Sequence, residues 1–85
     1  MTVRQLPDNG YVIDWSNLFK STNAIISYEI SVGSVEGNTD ISMPTTTQES
    51  SLSIYIPDDV HEPFVVVRAV TITGKTEIYR AHMFL

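Results

Sequence analysis

Two histidines and a group of carboxylates are the side chains that acid–base chemistry would use. His82 lies near the carboxyl end, and His61 stands in a segment that also holds Asp58, Asp59 and Glu62. Nucleophilic catalysis needs a nucleophile, a base and an orienting group within hydrogen-bonding reach. No Gly-x-Ser-x-Gly segment occurs in the sequence, and the chain has no cysteine. We therefore expect no catalytic residues and a protein that is not an enzyme.

The same groups include possible metal ligands. Zinc requires several His or Cys ligands at fixed spacings, which two distant histidines do not supply. Calcium prefers carboxylate oxygens, which Asp58, Asp59, Glu62 and Asp8 could offer, but the spacing of an EF-hand is absent. We expect these carboxylates to be hydrated turn residues, with no metal and no cofactor bound.

Gly74-Lys75-Thr76 imitates the end of a phosphate-binding loop. That motif has an earlier glycine, where this chain has Ala69, and a helix follows it. The residues after Thr76 instead have the composition of a strand. A tight hairpin turn is the expected structure here.

Charge and length exclude two further classes of function. The 85 residues contain 10 acidic and 5 basic side chains, for a net charge of −5. Binding to nucleic acid without sequence preference needs clustered Lys and Arg to replace phosphate counterions, so it is not expected. The apolar runs are a few residues long, whereas a membrane span needs about 20. We expect one small domain that inserts into no membrane.

The residue types favour an all-β domain. Val, Ile and Thr occur nine times each, whereas Ala and Leu together occur seven times. Side chains branched at Cβ fit a pleated, half-buried surface better than a helix. Between Ile26 and Val32, apolar residues alternate with Ser and Glu, which places Ile26 on the buried face.

Turn signals divide the chain into about seven predicted strands. Pro7-Asp8-Asn9-Gly10, Glu36-Gly37-Asn38 and Thr73-Gly74-Lys75 are the clearest turns. Thr45–Ser51 is rich in hydroxyl groups and is expected to be a loop or a weak edge strand. This spacing favours a two-sheet sandwich, with a small barrel as the alternative. The predicted strands are Thr2–Leu6, Tyr11–Trp15, Ile26–Val32, Thr39–Met43, Ser51–Ile56, Phe64–Ile72 and Thr76–Met83.

Four segments together resemble a fibronectin type III domain. They are W-S-N-L-F at 15–19, I-I-S-Y-E-I-S-V-G at 25–33, E-G-N-T-D-I at 36–41 and V-V-V-R-A-V-T at 65–71. The resemblance runs from about Tyr11 to Met83. It implies a seven-stranded antiparallel two-sheet sandwich of the immunoglobulin-like superfold. Residues 1–85 would be a single such domain of a longer multidomain protein. The family's corner tyrosine falls at Pro63 here, which is a departure from the pattern.

The resemblance also implies what the domain does. We expect a non-catalytic interaction or spacer module in an extracellular or cell-surface protein, of the kind found in cell adhesion. The loop T-G-K-T at 73–76 carries no Arg-Gly-Asp, so that mode of integrin binding is not expected. The alternatives are an accessory domain of a larger secreted enzyme and a small stand-alone β protein that self-associates.

The facing of the sixth strand identifies candidate contacts with a protein partner or a neighbouring domain. If Val65, Val67 and Ala69 face inward, as the resemblance implies, the residues between them face outward and form an apolar stripe. The loops at 16–24 and 71–76 would share one end of the sandwich and add further contacts. The candidate contacts are Phe64, Val66, Arg68, Val70, Phe19, Lys20 and Lys75. The predicted core is Trp15, Tyr28, Ile30, Leu52, Ile54, Val65, Val67 and Ala69.

Overall fold

Seven antiparallel strands form the protein. The computed structural model describes residues 1–16, 18–19 and 24–85. The strands are β1 (Thr2–Gln5), β2 (Gly10–Asp14), β3 (Ile25–Gly33), β4 (Ser42–Thr47), β5 (Ser51–Tyr55), β6 (Phe64–Thr71) and β7 (Thr76–His82). One sheet has the order β1-β2-β5 and the other β4-β3-β6-β7. The predicted all-β, two-sheet architecture is confirmed, and within the described ranges no pairing joins the sheets into a barrel.

The core lies where the inward residues of β2, β3 and β6 meet. Trp15, Ile30, Val65, Val67 and Ala69 are fully buried, as predicted. The other three predicted core residues, Tyr28, Leu52 and Ile54, are half-buried and pack against this cluster. Burying each large apolar side chain contributes about 1.5–3 kcal/mol, so these positions account for much of the stability.

Two predicted turns set the register of their hairpins. Asp8 and Asn9 have φ of 60° and 62°, a conformation that these residue types tolerate better than most. Gly74 has φ of 84°, and its amide donates to the carbonyl of Thr71 at 2.9 Å. The Thr71 amide in turn donates to the carbonyl of Lys75 at 3.0 Å. A three-residue loop that ends in a left-handed glycine closes the β6–β7 hairpin.

The fourth strand differs from its predicted bounds of Thr39–Met43. It runs from Ser42 to Thr47 and therefore takes in residues expected to be a loop or a weak edge strand. Asp40 accepts hydrogen bonds from the amide and hydroxyl of Ser34, at 2.9 and 2.6 Å. These bonds hold residues 34–40 as a turn, so the strand begins later than the residue types suggested.

Ile26 was predicted to face the core, and this prediction is wrong. The pairing of β3 with β6 shifts between Ile25 and Ser27, where an irregularity interrupts the ladder. Ile25 pairs with the buried Thr71, and Ile26 is 51% exposed. An extra residue in one strand reverses the facing of the residues before it, which a simple alternation count does not detect.

Pro63 stands where the resemblance would place a corner tyrosine, and backbone bonds hold this region. Pro63 is buried, and its carbonyl accepts from the amide of Met83 at 2.8 Å. The carbonyl of His61 accepts from the amide of Leu85 at 2.8 Å. The segment after β7 is thereby fastened to the loop before β6. In the described part of the chain, no helix is long and apolar enough to cross a membrane.

Candidate interaction surface

The outer face of the four-stranded sheet is the surface that the predicted stripe occupies. Along β6, half-buried and buried residues alternate without a break. Phe64, Val66, Arg68 and Val70 point away from the core, which matches the facing expected from the sequence. We call these four residues the β6 row. They are half-buried because β3 and β7 flank them on both sides.

The neighbours of Val66 and Val70 give the β6 row its partial cover. Val66 lies between Ser31 of β3 and Arg80 of β7 in the register of the sheet. Val70 lies in the same way between Ser27 and Thr76. Short polar side chains on β3 leave the valine methyl groups accessible. The row is thus an apolar strip with polar borders, an arrangement typical of contact surfaces.

Arg68 interrupts the apolar strip with an ion pair. Its Nη2 atom donates to Oε2 of Glu29, directly across on β3, at 3.0 Å. The two side chains are 42% and 36% exposed, so solvent screens the pair and its contribution is about 0–1 kcal/mol. On the other side Arg68 faces Ile78 of β7. The Nε atom of Arg68 is buried and has no hydrogen-bond partner among the described residues.

An aromatic cluster lies at the Phe64 end of the β6 row. The ring of Phe64 stacks on His82 with centroids 4.3 Å apart and an interplanar angle of 6°. His82 also contacts Phe84, at 4.5 Å between centroids. His82 Nε2 lies 4.0 Å from Oε1 of Glu62, which borders the cluster. The three rings, two of phenylalanine around one imidazole, form an aromatic wall.

A groove of about 350 Å³ opens beside this wall. Phe64, Val66 and His82 line one part of it, and the turn residues Glu36 and Gly37 line another. Arg80 contributes an exposed guanidinium to the same groove. The groove can therefore receive an apolar side chain, with one acidic residue, Glu36, and one basic residue, Arg80, in its lining.

The two loop candidates that the structure describes, Phe19 and Lys75, do not join the β6 row. Phe19 is half-buried and contacts Tyr28, at 5.9 Å between ring centroids, on the core side of the sheet. Lys75 is exposed in the β6–β7 hairpin. Lys20 lies outside the described residues. The amide of Ile72 donates to the carbonyl of Ala24 at 2.9 Å, so these two described loop residues lie next to each other.

His82, Phe84 and Arg80 were not among the predicted contacts. The β6–β7 hairpin could have identified two of them, because its turn sets which residues of the two strands lie opposite each other. Counting back from the pair Thr71–Lys75 places Phe64 opposite His82 and Val66 opposite Arg80. Phe84 lies beyond the last strand, and nothing in its position indicated that it would contact His82.

Titratable groups elsewhere stabilise turns. Two hydrogen bonds from Ser16, the amide first and the hydroxyl second, lower the pKa of Asp14. The hydroxyl and then the amide of Ser34 lower the pKa of Asp40. Among the residues that the structure describes, no three His, Asp or Glu side chains lie close enough together to hold a metal ion.

Comparison of the chain with protein-family models, with curated proteins and with solved structures gave no match. The fold and the outer face therefore carry the functional interpretation.

Proposed function

We propose that this protein is a non-catalytic interaction module with a fibronectin type III-like fold, which binds a protein partner or a neighbouring domain through its outer face. The observation that carries the proposal is the β6 row together with the rings of Phe64 and His82. When a partner covers an accessible apolar strip with polar borders, apolar surface is removed from water and binding is favoured.

Three features support the fibronectin type III-like assignment. Seven antiparallel strands lie in two sheets, Trp15 follows β2 and is buried, and β6 presents Val65, Val67 and Ala69 to the core. A module of this type acts by surface complementarity and breaks no bond. We place it in a multidomain protein at the cell surface or outside the cell, in keeping with the resemblance.

The outer face can be tested with one substitution at two matched positions. Val66 and Val12 are both half-buried valines on inner strands of their sheets, and both face outward, on opposite sides of the fold. The domain carrying Val66→Lys or Val12→Lys would be immobilised, and the proteins captured from source material would be quantified by mass spectrometry. We expect captured partners to be retained by Val12→Lys and lost with Val66→Lys. Equal capture by both variants would contradict binding through the outer face.

The multidomain assignment has its own test. An immunoblot against this domain, with cell and medium fractions separated, measures the mass of the native protein. We expect a band well above 9.5 kDa in the medium or at the cell surface. A band at the mass of the domain would overturn the multidomain assignment and leave the outer-face test standing.

A further inference from the structure

The strand β7 forms one border of the four-stranded sheet. Among the described residues it pairs only with β6, and all seven of its residues do so without a register shift. The other border strands are less open to pairing. β4 contains Pro44 and an irregular register, while β1 and β5 have four and five residues. Short strands, prolines and bulges are the usual protections of a sheet edge, and β7 contains none of them.

The hydrogen bonds at both ends of β7 show which of its backbone groups remain free. Lys75 accepts from Thr71, and Met83 donates to Pro63, so residues with odd numbers bond to β6. In an antiparallel ladder these residues alternate with residues whose amide and carbonyl point the other way. Among the residues that the structure describes, the unpaired groups of β7 therefore belong to Thr76, Ile78, Arg80 and His82. They are available to a further strand.

The charge of β7 differs from that of the whole chain. The strand carries one acid, Glu77, and one base, Arg80, whereas the chain has a net charge of −5. Ile78 is 48% exposed on its outer side. Two copies can meet at this edge without bringing acidic surfaces together.

We propose that two copies of the protein associate through β7, antiparallel, with Tyr79 on the two-fold axis. In this register Ile78 lies opposite Arg80 of the second copy, and Thr76 lies opposite His82. All the free amides and carbonyls then pair, with about eight hydrogen bonds across the interface. Tyr79 meets its own copy in the closer, non-hydrogen-bonded type of pair, where aromatic side chains pack well.

Charge and turn geometry select this register over its neighbours. Moving the axis to Arg80 would set two guanidinium groups directly opposite each other, which is unfavourable. Moving the axis to Ile78 would require the turn at Gly74 to pair as part of the ladder. The inference goes beyond the proposed function, because it uses the backbone edge of β7, whereas the proposed function uses side chains on the outer face.

Sedimentation equilibrium over a wide concentration range, up to millimolar protein, tests the association. We expect the mass to rise from 9.5 kDa to twice that value. Ile78→Pro removes one free amide and no bond to β6, and proline is tolerated at such positions. We expect this variant to fold, judged by circular dichroism, and to raise the dissociation constant about tenfold or more. Ile78→Thr keeps the amide and serves as the control.

A cysteine test fixes the register and needs no proline. The chain has no cysteine, so Tyr79→Cys and Ala81→Cys each introduce a single thiol on the same side of β7. Position 79 lies on the axis, so the Cα atoms of residue 79 in the two copies fall within the range that a disulfide spans. The Cα atoms of residue 81 in the two copies lie much farther apart. We expect Tyr79→Cys to form a covalent dimer on mild oxidation and Ala81→Cys to remain a monomer. Any of three results would overturn the proposal. The wild-type protein could remain a monomer at every concentration, Ile78→Pro could dimerise as well as the wild type, or the two cysteine variants could cross-link equally.

Discussion

Phe64 of β6 and His82 of β7 lie opposite each other, and their rings stack almost in parallel, 4.3 Å apart. The contact joins two strands on the outer face of the sheet, and Phe84 extends it beyond the end of β7. The β6 row is therefore bounded at one end by a firm aromatic wall and at the other by the loop that holds Lys75. A partner that covers the row would find its apolar anchor at the Phe64 end.

The alternation along β6 predicts opposite effects for adjacent residues. Val65 is completely buried, so Val65→Lys would leave a charge in the core and cost about 3 kcal/mol or more. Val66→Lys places the ammonium group in solvent and should change the stability by about 1 kcal/mol or less. Urea unfolding followed by the fluorescence of Trp15, the one tryptophan, measures both changes. Comparable losses in the two variants would show that the outer face is covered within the molecule.

The pair between Arg68 and Glu29 should contribute little to stability. A double-mutant cycle with Arg68→Ala and Glu29→Ala is expected to give a coupling of about 0.2–1 kcal/mol, since both side chains are more than a third exposed. The coupling should decrease in high salt, because ions screen exposed charges. Arg68→Leu extends the apolar strip and should leave the stability nearly unchanged. A coupling above about 2 kcal/mol would mean that the pair is far better shielded than its exposure indicates.

Gly33 and Gly37 provide a matched pair of glycine substitutions. A Cβ on Gly33 would overlap the backbone carbonyl of Asn38, so the turn 34–40 would have to move. Gly37 has φ of 87° with open space around it, and alanine there costs about 1–2 kcal/mol of backbone strain. We expect Gly33→Ala to cost about 2–3 kcal/mol. It should also shift the NMR signals of Ser34 and Asp40, whereas Gly37→Ala should leave them in place. Unchanged Ser34 signals in Gly33→Ala would contradict this packing.

Asp40 should make stability depend on pH in the acid range. The hydroxyl and the amide of Ser34 donate to its ionised carboxylate and lower its pKa below the ordinary 3.8. A lowered pKa means that the folded state favours the ionised form. The stabilisation is therefore fully present above about pH 3.8 and is lost as the pH falls through the folded-state pKa.

An NMR titration of the Asp40 carboxyl measures this pKa directly. Ser34→Ala keeps the carboxyl and removes the hydroxyl donor, so the pKa of Asp40 should rise toward 3.8 in this variant. Asp40→Asn should lower the unfolding free energy more at about pH 6 than below about pH 3. A pKa of Asp40 that stays the same in Ser34→Ala would assign the shift to another cause.

Turn chemistry was sufficient to predict the hairpin at Gly74, whereas the inward face of β6 was expected from the family resemblance, which also supported the burial of Trp15. These features depend on residues close together in the sequence. Ile26 was assigned to the wrong face because the irregularity in β3 arises from its pairing with a distant strand. The start of β4 was missed because the Ser34–Asp40 hydrogen bonds, which close the preceding turn, follow from no local propensity.

The candidate site was predictable only in part. The β6 row follows from the period of one strand together with the facing that the resemblance implies, whereas the groove needs the register of β7 and the turn at Gly37. The half-burial of Phe19 against Tyr28 depends on how a loop folds back onto the core. Side chains in loops take their positions from tertiary contacts, which a single strand pattern does not contain.

The strand order β1-β2-β5 has a consequence for the folding of this chain during its synthesis on the ribosome. Tyr11 of β2 pairs with Ile54 of β5, so one edge of β2 can pair only after about 40 further residues have been synthesised. At ordinary rates of synthesis of about 5–20 residues per second, that delay is about 2–8 s. Folds dominated by such distant pairings also form slowly once complete, in milliseconds to seconds. For several seconds each newly made molecule therefore exposes one side of β2, and this is the interval in which a chaperone that binds extended segments would act.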